Sequence, residues 1–208
     1  KQYEIDSVST LLGTAFDYHL LRQRQENLTG RVAFEARETT SDIFGSPLTR
    51  ENVRTVRAGV TYAVPDAWSG VNAVSSTVSQ GIAALGASEA RAPHLSRAEA
   101  KPDFTKVEIS LKRTQPLTEH WNLNLSLAGQ TASGPLYSAE EFGYGGQEYG
   151  RAYDTSELTG DHGVAGSAEV NYSGIGTMGG FSLYPFVYYD AGTVWNDDRN
   201  QLAKASGS

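Results

Sequence analysis

The chain has 208 residues, 24 Asp and Glu against 17 Lys and Arg for a net charge of −7, 39% apolar residues and no cysteine. This composition excludes a disordered or collagen-like chain, disulfide scaffolds, thiolate metal sites and cysteine nucleophiles, and the acidic balance argues against a nucleic-acid binder. No stretch approaches the roughly 20 apolar residues of a membrane-spanning helix, but a transmembrane barrel escapes that test because its strands alternate between lipid and lumen.

Alternation dominates from the start. Leu12, Thr14, Phe16, Tyr18 and Leu20 share one face of a strand, with Gly13, Ala15, Asp17 and His19 on the other, which is a period of two. A polar break over residues 22–27 reads as a short turn, after which Leu28, Gly30, Val32, Phe34 and Ala36 oppose Thr29, Arg31, Ala33, Glu35 and Arg37. A longer polar link with Gly45, Pro47 and Asn52 is expected next, and then Val56, Ala58, Val60, Tyr62 and Val64 oppose Thr55, Arg57, Gly59 and Thr61. The fourth strand, over residues 71–82, alternates weakly and leads into a polar segment over 86–102. Thr105, Val107, Ile109 and Leu111 then oppose Lys106, Glu108, Ser110 and Lys112. A tight connection over 116–120 precedes Trp121, Leu123, Leu125 and Leu127, which oppose Asn122, Asn124, Ser126 and Gln130. A glycine- and tyrosine-rich connection over 131–163 is followed by Val164, Gly166, Ala168, Val170 and Tyr172 against Ser167, Glu169 and Asn171, and an eighth strand is expected over 181–194.

The sequence thus predicts an all-β, antiparallel arrangement of about eight strands. Ten residues at roughly 3.3 Å each, tilted near 40°, cross the ~25 Å apolar band of an outer membrane. The polar faces carry full charges, among them Asp17, Arg31, Glu35, Arg37, Arg57, Lys106, Glu108, Lys112 and Glu169. In a soluble β-sandwich binding module such faces would meet solvent, and in a transmembrane barrel they would line a wet lumen. Alternating short and long connections favour the barrel, as do aromatics near strand ends (Tyr18, Tyr62, Trp121, Tyr172 and Trp195) in the manner of a girdle.

The long connection holds Phe142-Gly-Tyr-Gly-Gly-Gln-Glu-Tyr-Gly-Arg-Ala-Tyr153. A segment folded back into a lumen needs close backbone approach, from Gly143, Gly145 and Gly146, and aromatic packing, from Tyr144, Tyr149 and Tyr153. Gly145-Gly146, then Gly150-Arg151-Ala152-Tyr153, then Gly160-Asp161-His162-Gly163, and finally Pro185-Phe-Val-Tyr-Tyr-Asp190-Ala-Gly192 together resemble the outer-membrane transporters of two-partner secretion. These are the TpsB or haemolysin secretion/activation type, in the superfamily that includes BamA. The stretches 18–28 and 78–85 resemble it too. The match is imperfect: the family loop reads Arg-Gly-Tyr or Arg-Gly-Phe after Val or Leu, whereas here Gly150 precedes Arg151 and Ala152 follows it.

The resemblance implies an outer-membrane pore that exports a large secreted partner polypeptide, set in outer-membrane lipid, with a sixteen-stranded barrel preceded by POTRA domains. The 208 residues would then be consecutive strands of that single barrel domain, without the POTRA domains or the closing strands. It implies further that Arg151, beside Tyr153, enters the lumen and pairs with Asp190 as a lock. Strand parity would put Tyr184, Phe186 and Tyr188 on the Asp190 face, packed against the loop. The competing reading makes Asp190 a strand-end turn residue and Arg151 a solvated loop arginine. A second alternative in the same superfamily is an assembly factor that inserts other outer-membrane proteins. No enzyme is expected, and neither cofactor nor metal: His19, His94, His120 and His162 are scattered, and Asp161 with His162 suits backbone capping at a turn better than acid/base work. Gly174-Ile-Gly-Thr-Met-Gly179 joins two strands and opens no helix, so it reads as a hairpin turn.

Overall fold

The computed structural model describes residues 5–178, 181–196 and 202–207. In chain order the strands are β1 (Ile5–Arg22), β2 (Asn27–Ile43), β3 (Ser46–Pro65), β4 (Val71–Gly81), β5 (Thr105–Pro116), β6 (Trp121–Ala132), β7 (Phe142–Tyr144), β8 (Leu158–Gly160), β9 (His162–Tyr172), β10 (Thr177–Met178), β11 (Phe181–Ser182), β12 (Phe186–Trp195) and β13 (Leu202–Gly207). Nine of them form one antiparallel sheet in the order β1-β2-β3-β4-β5-β6-β9-β12-β13, while β7-β8 and β10-β11 are small separate ribbons. Among the described residues β1 and β13 are edges and do not pair with each other.

The two faces differ as the alternation requires. Register sets Asp17 opposite Arg31, Ala33 opposite Arg57, Ser79 opposite Lys106 and Ser167 opposite Asp190, so the charges gather on one face. On the other, Leu12 is 74% exposed, Phe16 68% and Val187 70%. A bare apolar face of this extent suits lipid and not water. No second sheet covers it among the described residues, which removes the β-sandwich reading. Tyr18, Tyr62, Trp121 and Tyr172 lie together at the end with the short turns, where the Trp121 and Tyr172 rings pack at 4.7 Å; Trp195 sits at the opposite end, stacked on His162.

Three expectations need correction. The polar link around Gly45, Pro47 and Asn52 is strand: β2 and β3 run on, 17 and 20 residues long, to a two-residue turn at Phe44 and Gly45, both at positive φ as a tight hairpin of this twist demands. With β1 at 18 residues, these three strands outrun the 10 to 12 residues of β4, β5, β6, β9 and β12. Their extra length lies on the side of the long loops. The eighth expected strand starts late, at Phe186, because the ladder cannot run through Pro185, which lacks an N–H; its carbonyl accepts from Tyr172 N at 2.9 Å. The ninth strand, β13, has no counterpart in the alternation. Residue 179 of the glycine-rich turn lies outside the described residues.

Above the end of β4, the upper edge of β3 would present unpaired backbone. The connection over 82–104 covers it: Ile82 N donates to Arg54 O (2.8 Å), Ser88 N to Asn52 O (2.9 Å) and Arg50 N to His94 O (2.7 Å). Such covering is how natural sheets blunt an edge. All the buried apolar residues but Ala33 fall into two clusters, both between a long loop and the charged face. Val53, Ala100, Phe104, Leu136 and Tyr137 make one, and Tyr144, Tyr149, Ala165 and Val194 the other.

Candidate functional site

The connection over 133–161 folds back onto the charged inner face, and its local chemistry explains how. Gly145 and Gly150 take φ of 118° and 73°, where side chains are strained. A Cβ on Gly150 would also sit 2.7 Å from the Tyr144 ring. The backbone closes on itself through Gly145 N to Tyr149 O (3.1 Å), Gly146 N to Gly150 O (3.3 Å) and Tyr153 N to Gly150 O (2.9 Å). Below this knot Tyr144 drops into the space left by Gly192 on β12, and Phe142 into that left by Gly163 on β9; a Cβ at either glycine would collide with the ring. Gly160, ending β8, lets the loop backbone approach Trp195. Tyr153 packs on Tyr144 at 5.8 Å.

At the tip, Arg151 meets Asp190. Nε donates to Asp190 Oδ2 (3.1 Å), Nη2 to Asp190 Oδ1 (2.9 Å) and the Arg151 backbone N–H to Oδ2 (3.0 Å). Nη2 also donates to Ser167 Oγ at 2.8 Å, Nη1 donates to Glu169, and the guanidinium lies 3.7 Å over the Tyr188 ring. A planar fork facing a carboxylate with two further acceptors is the geometry that Arg supports and Lys does not. Of the aromatics expected around the loop only Tyr188 touches the arginine; Phe186 stacks behind Tyr188 at 6.1 Å and stays exposed, as does Tyr184.

The root of the loop is held differently. Asp161 is fully buried and accepts both terminal nitrogens of Arg97 and, at 2.7 Å, the backbone N–H of Leu136. Arg97 also donates to Leu136 O at 3.0 Å and lies 3.0 Å from Glu141, so it ties the two long loops together. The backbone N–H that the Asp161 carboxylate accepts is thus 25 residues away and not at its own turn, and another partner is an arginine 64 residues away. His162 Nδ1 sits 3.0 Å from Thr131 Oγ1. Tyr137 hydrogen-bonds Ser88 O at 3.3 Å, and burial, with Glu51 and Asp103 nearby, pushes its phenol up to about 12.

Between root and tip lies Glu140, which sequence reasoning did not single out. Arg57 Nη2 donates to its Oε1 at 2.7 Å and Lys106 Nζ lies 3.1 Å from Oε2. Burial opposes its charge, yet Lys106 and Arg57 more than offset that and hold the carboxyl below its ordinary range. Arg57 and Lys106 were legible as inner-face charges; Glu140 carried the signal of an acidic pair directly before the aromatic loop. Arg97 carried none.

Two solved structures share the fold. CdiB from Escherichia coli superposes with a TM-score of 0.82 at 15% identity, over 97% of this chain and 38% of its own, and CdiB from Acinetobacter baumannii with 0.72 at 17%, over 95% and 33%. The chain therefore spans about a third of the length of either. Among curated protein sequences none matches. The model of the haemolysin secretion/activation protein ShlB/FhaC/HecB family matches residues 1–208. The chain, a sheet with one bare apolar face and an arginine-bearing loop on its charged face, thus belongs to this haemolysin secretion/activation family, a family of bacterial outer-membrane transporters.

Proposed function

We propose that the protein exports a large secreted partner in an extended state across the bacterial outer membrane, without nucleotide hydrolysis, and that Arg151 with Asp190 locks the loop against the barrel wall. The observation that carries the lock is the fork of Arg151 on Asp190, reinforced by Glu169, Ser167 and Tyr188. A wet, charged inner face suits the passage of polar polypeptide. Two unpaired sheet edges among the described residues and the share of the CdiB chains covered support reading these strands as part of a larger barrel, sixteen-stranded with POTRA domains before it.

Arg151 and Asp190 hold conformation and perform no chemistry. In the full-length protein Arg151→Ala is expected to cut secretion of the partner severalfold while the barrel still inserts, read as the folded, heat-modifiable fraction in isolated outer membranes. Unchanged secretion would remove the lock.

A further inference from the structure

The loop brings a cation to the wall at β9 and β12, and it brings an anion to the wall at β3 and β5. Glu140 ends the 3-10 turn Ser138–Glu140 and is buried with its carboxylate between Arg57 and Lys106. Both cations are also held by residues that do not belong to the loop. Arg57 donates to Glu35 at 3.0 Å and to Ser79 at 2.7 Å; Lys106 donates to Gln130 at 3.3 Å and has Glu108 at 3.5 Å. The pair is therefore set in place by β2, β3, β4, β5 and β6, and borders an open lumen cavity of about 400 Å³ that Arg31, Thr77 and Glu108 also line.

We propose that Arg57 and Lys106 form a carboxylate-receiving site on the lumen wall, filled by Glu140 while the loop is docked and taken by an acidic side chain of a passing polypeptide when the loop withdraws. The second half rests on the export reading above. The physical reason is the cost of a vacated partner: when Glu140 leaves, Arg57 keeps Glu35 and Lys106 keeps Glu108, but each loses its most buried counter-charge, whereas exchanging one carboxylate for another restores it. A polypeptide acid at this position lets the loop leave while the donors that Arg57 and Lys106 turn toward Glu140 stay matched. Glu140 is thus an internal stand-in for the ligand.

The test uses the full-length protein in planar lipid bilayers with deca-glutamate as the probe. Glu140→Gln keeps the shape of the side chain and removes its charge. It is expected to shift the reversal potential in a KCl gradient toward anions and to lower the deca-glutamate concentration that blocks the current by about tenfold, the scale of one charge-assisted hydrogen bond. Adding Arg57→Gln and Lys106→Gln to that variant is expected to abolish both effects, and Lys106→Gln alone to shift selectivity toward cations. An unaltered reversal potential and block in Glu140→Gln, or block that persists in the triple variant, overturns the site. None of these readings needs a secreted partner, so their failure is distinct from a failure of export.

Discussion

Arg151→Lys separates the geometry of the proposed lock from its charge. The guanidinium makes four side-chain donations, two to Asp190 and one each to Ser167 and Glu169, and stacks on Tyr188. An ammonium is a point charge on a flexible stem and reaches about two of these partners, while the backbone N–H of residue 151 keeps its bond to Asp190. The lost bonds to charged partners are worth roughly 1.5 kcal/mol each and the stacking about 0.5 kcal/mol. Because the Arg151 side chain retains 19% exposure to the lumen, solvent returns part of this, and a net loss of about 2 kcal/mol in loop docking is expected, roughly thirtyfold in the docked population. The chain has no cysteine, so a single reporter thiol is available by substitution. Ala165, 1% exposed beneath Tyr144 and Tyr149, changes little in volume as Ala165→Cys. Maleimide labelling of that variant in the full-length protein tracks the undocked fraction. Labelling should accelerate about thirtyfold when Arg151→Lys is added. A change of less than about threefold would show that charge alone, or the aromatic packing alone, sets the docking, and would refute the geometric argument.

Two further outcomes follow from groups near the loop and at the turn end. The Tyr144 hydroxyl is buried without a hydrogen-bond partner among the described residues, so Tyr144→Phe removes an unsatisfied group and should tighten docking by about 1 kcal/mol, slowing maleimide labelling of the Ala165→Cys variant several-fold; faster labelling would mean that the hydroxyl is bonded. At the short turn after β3, the hydrogen bond from Arg113, then that from Asn72 and those from the Trp68 and Gly70 amides, holds the Asp66 carboxyl well below its ordinary 3.8. A depressed carboxylate pKa stabilises above the unfolded value and loses that effect only as pH falls through the folded one. The emission of Trp68, taken as the difference from Trp68→Phe, should therefore hold constant from pH 7 to about pH 4 and change only in stronger acid; a red shift between about pH 7 and pH 5 would contradict the turn geometry.

What the sequence made legible is governed by where hydropathy and backbone pairing agree. Inside the apolar band every second residue lies on the bare apolar face, and the alternation from Leu12 to Leu20 or from Val164 to Tyr172 marks strand and face at once. Above the band both faces are wet. The pairs Ser7 with Ser41, Thr40 with Arg50 and Glu38 with Asn52 continue the ladder while the period of two in hydropathy disappears, so the upper halves of β2 and β3 read as a link. The stretch after residue 202 has few bulky side chains to alternate, and β13 is illegible for the same reason. The Arg151 to Asp190 contact was readable only by way of the family resemblance and strand parity. Glu140 and Arg97 find partners 83 and 64 residues away, and such pairings depend on where two loops fold back, which no local pattern encodes.

Burial and charge divide the work of docking the loop. Leu136, Tyr137 and Tyr144 are wholly shielded, and each large apolar group so buried stabilises by roughly 1.5 to 3 kcal/mol, whereas buried ion pairs roughly break even against their desolvation. Aromatic packing therefore supplies most of the docking energy, and the ions fix the register of the loop on the wall. The two ends of the loop also differ in what would have to break. At the root, Leu136 and Tyr137 pack with Val53 and Phe104, and Arg97 joins Asp161 to the loop over 82–104. At the tip, Arg151 and Tyr144 rest on the wall alone. The tip can lift while the root stays, and Glu140, three residues beyond Tyr137, is tethered to the root. Under the proposed docking, a loop that opens from the tip uncovers Asp190 and Glu169 first and the Arg57 and Lys106 pair last, so the acidic wall is bared while Glu140 still fills the basic one.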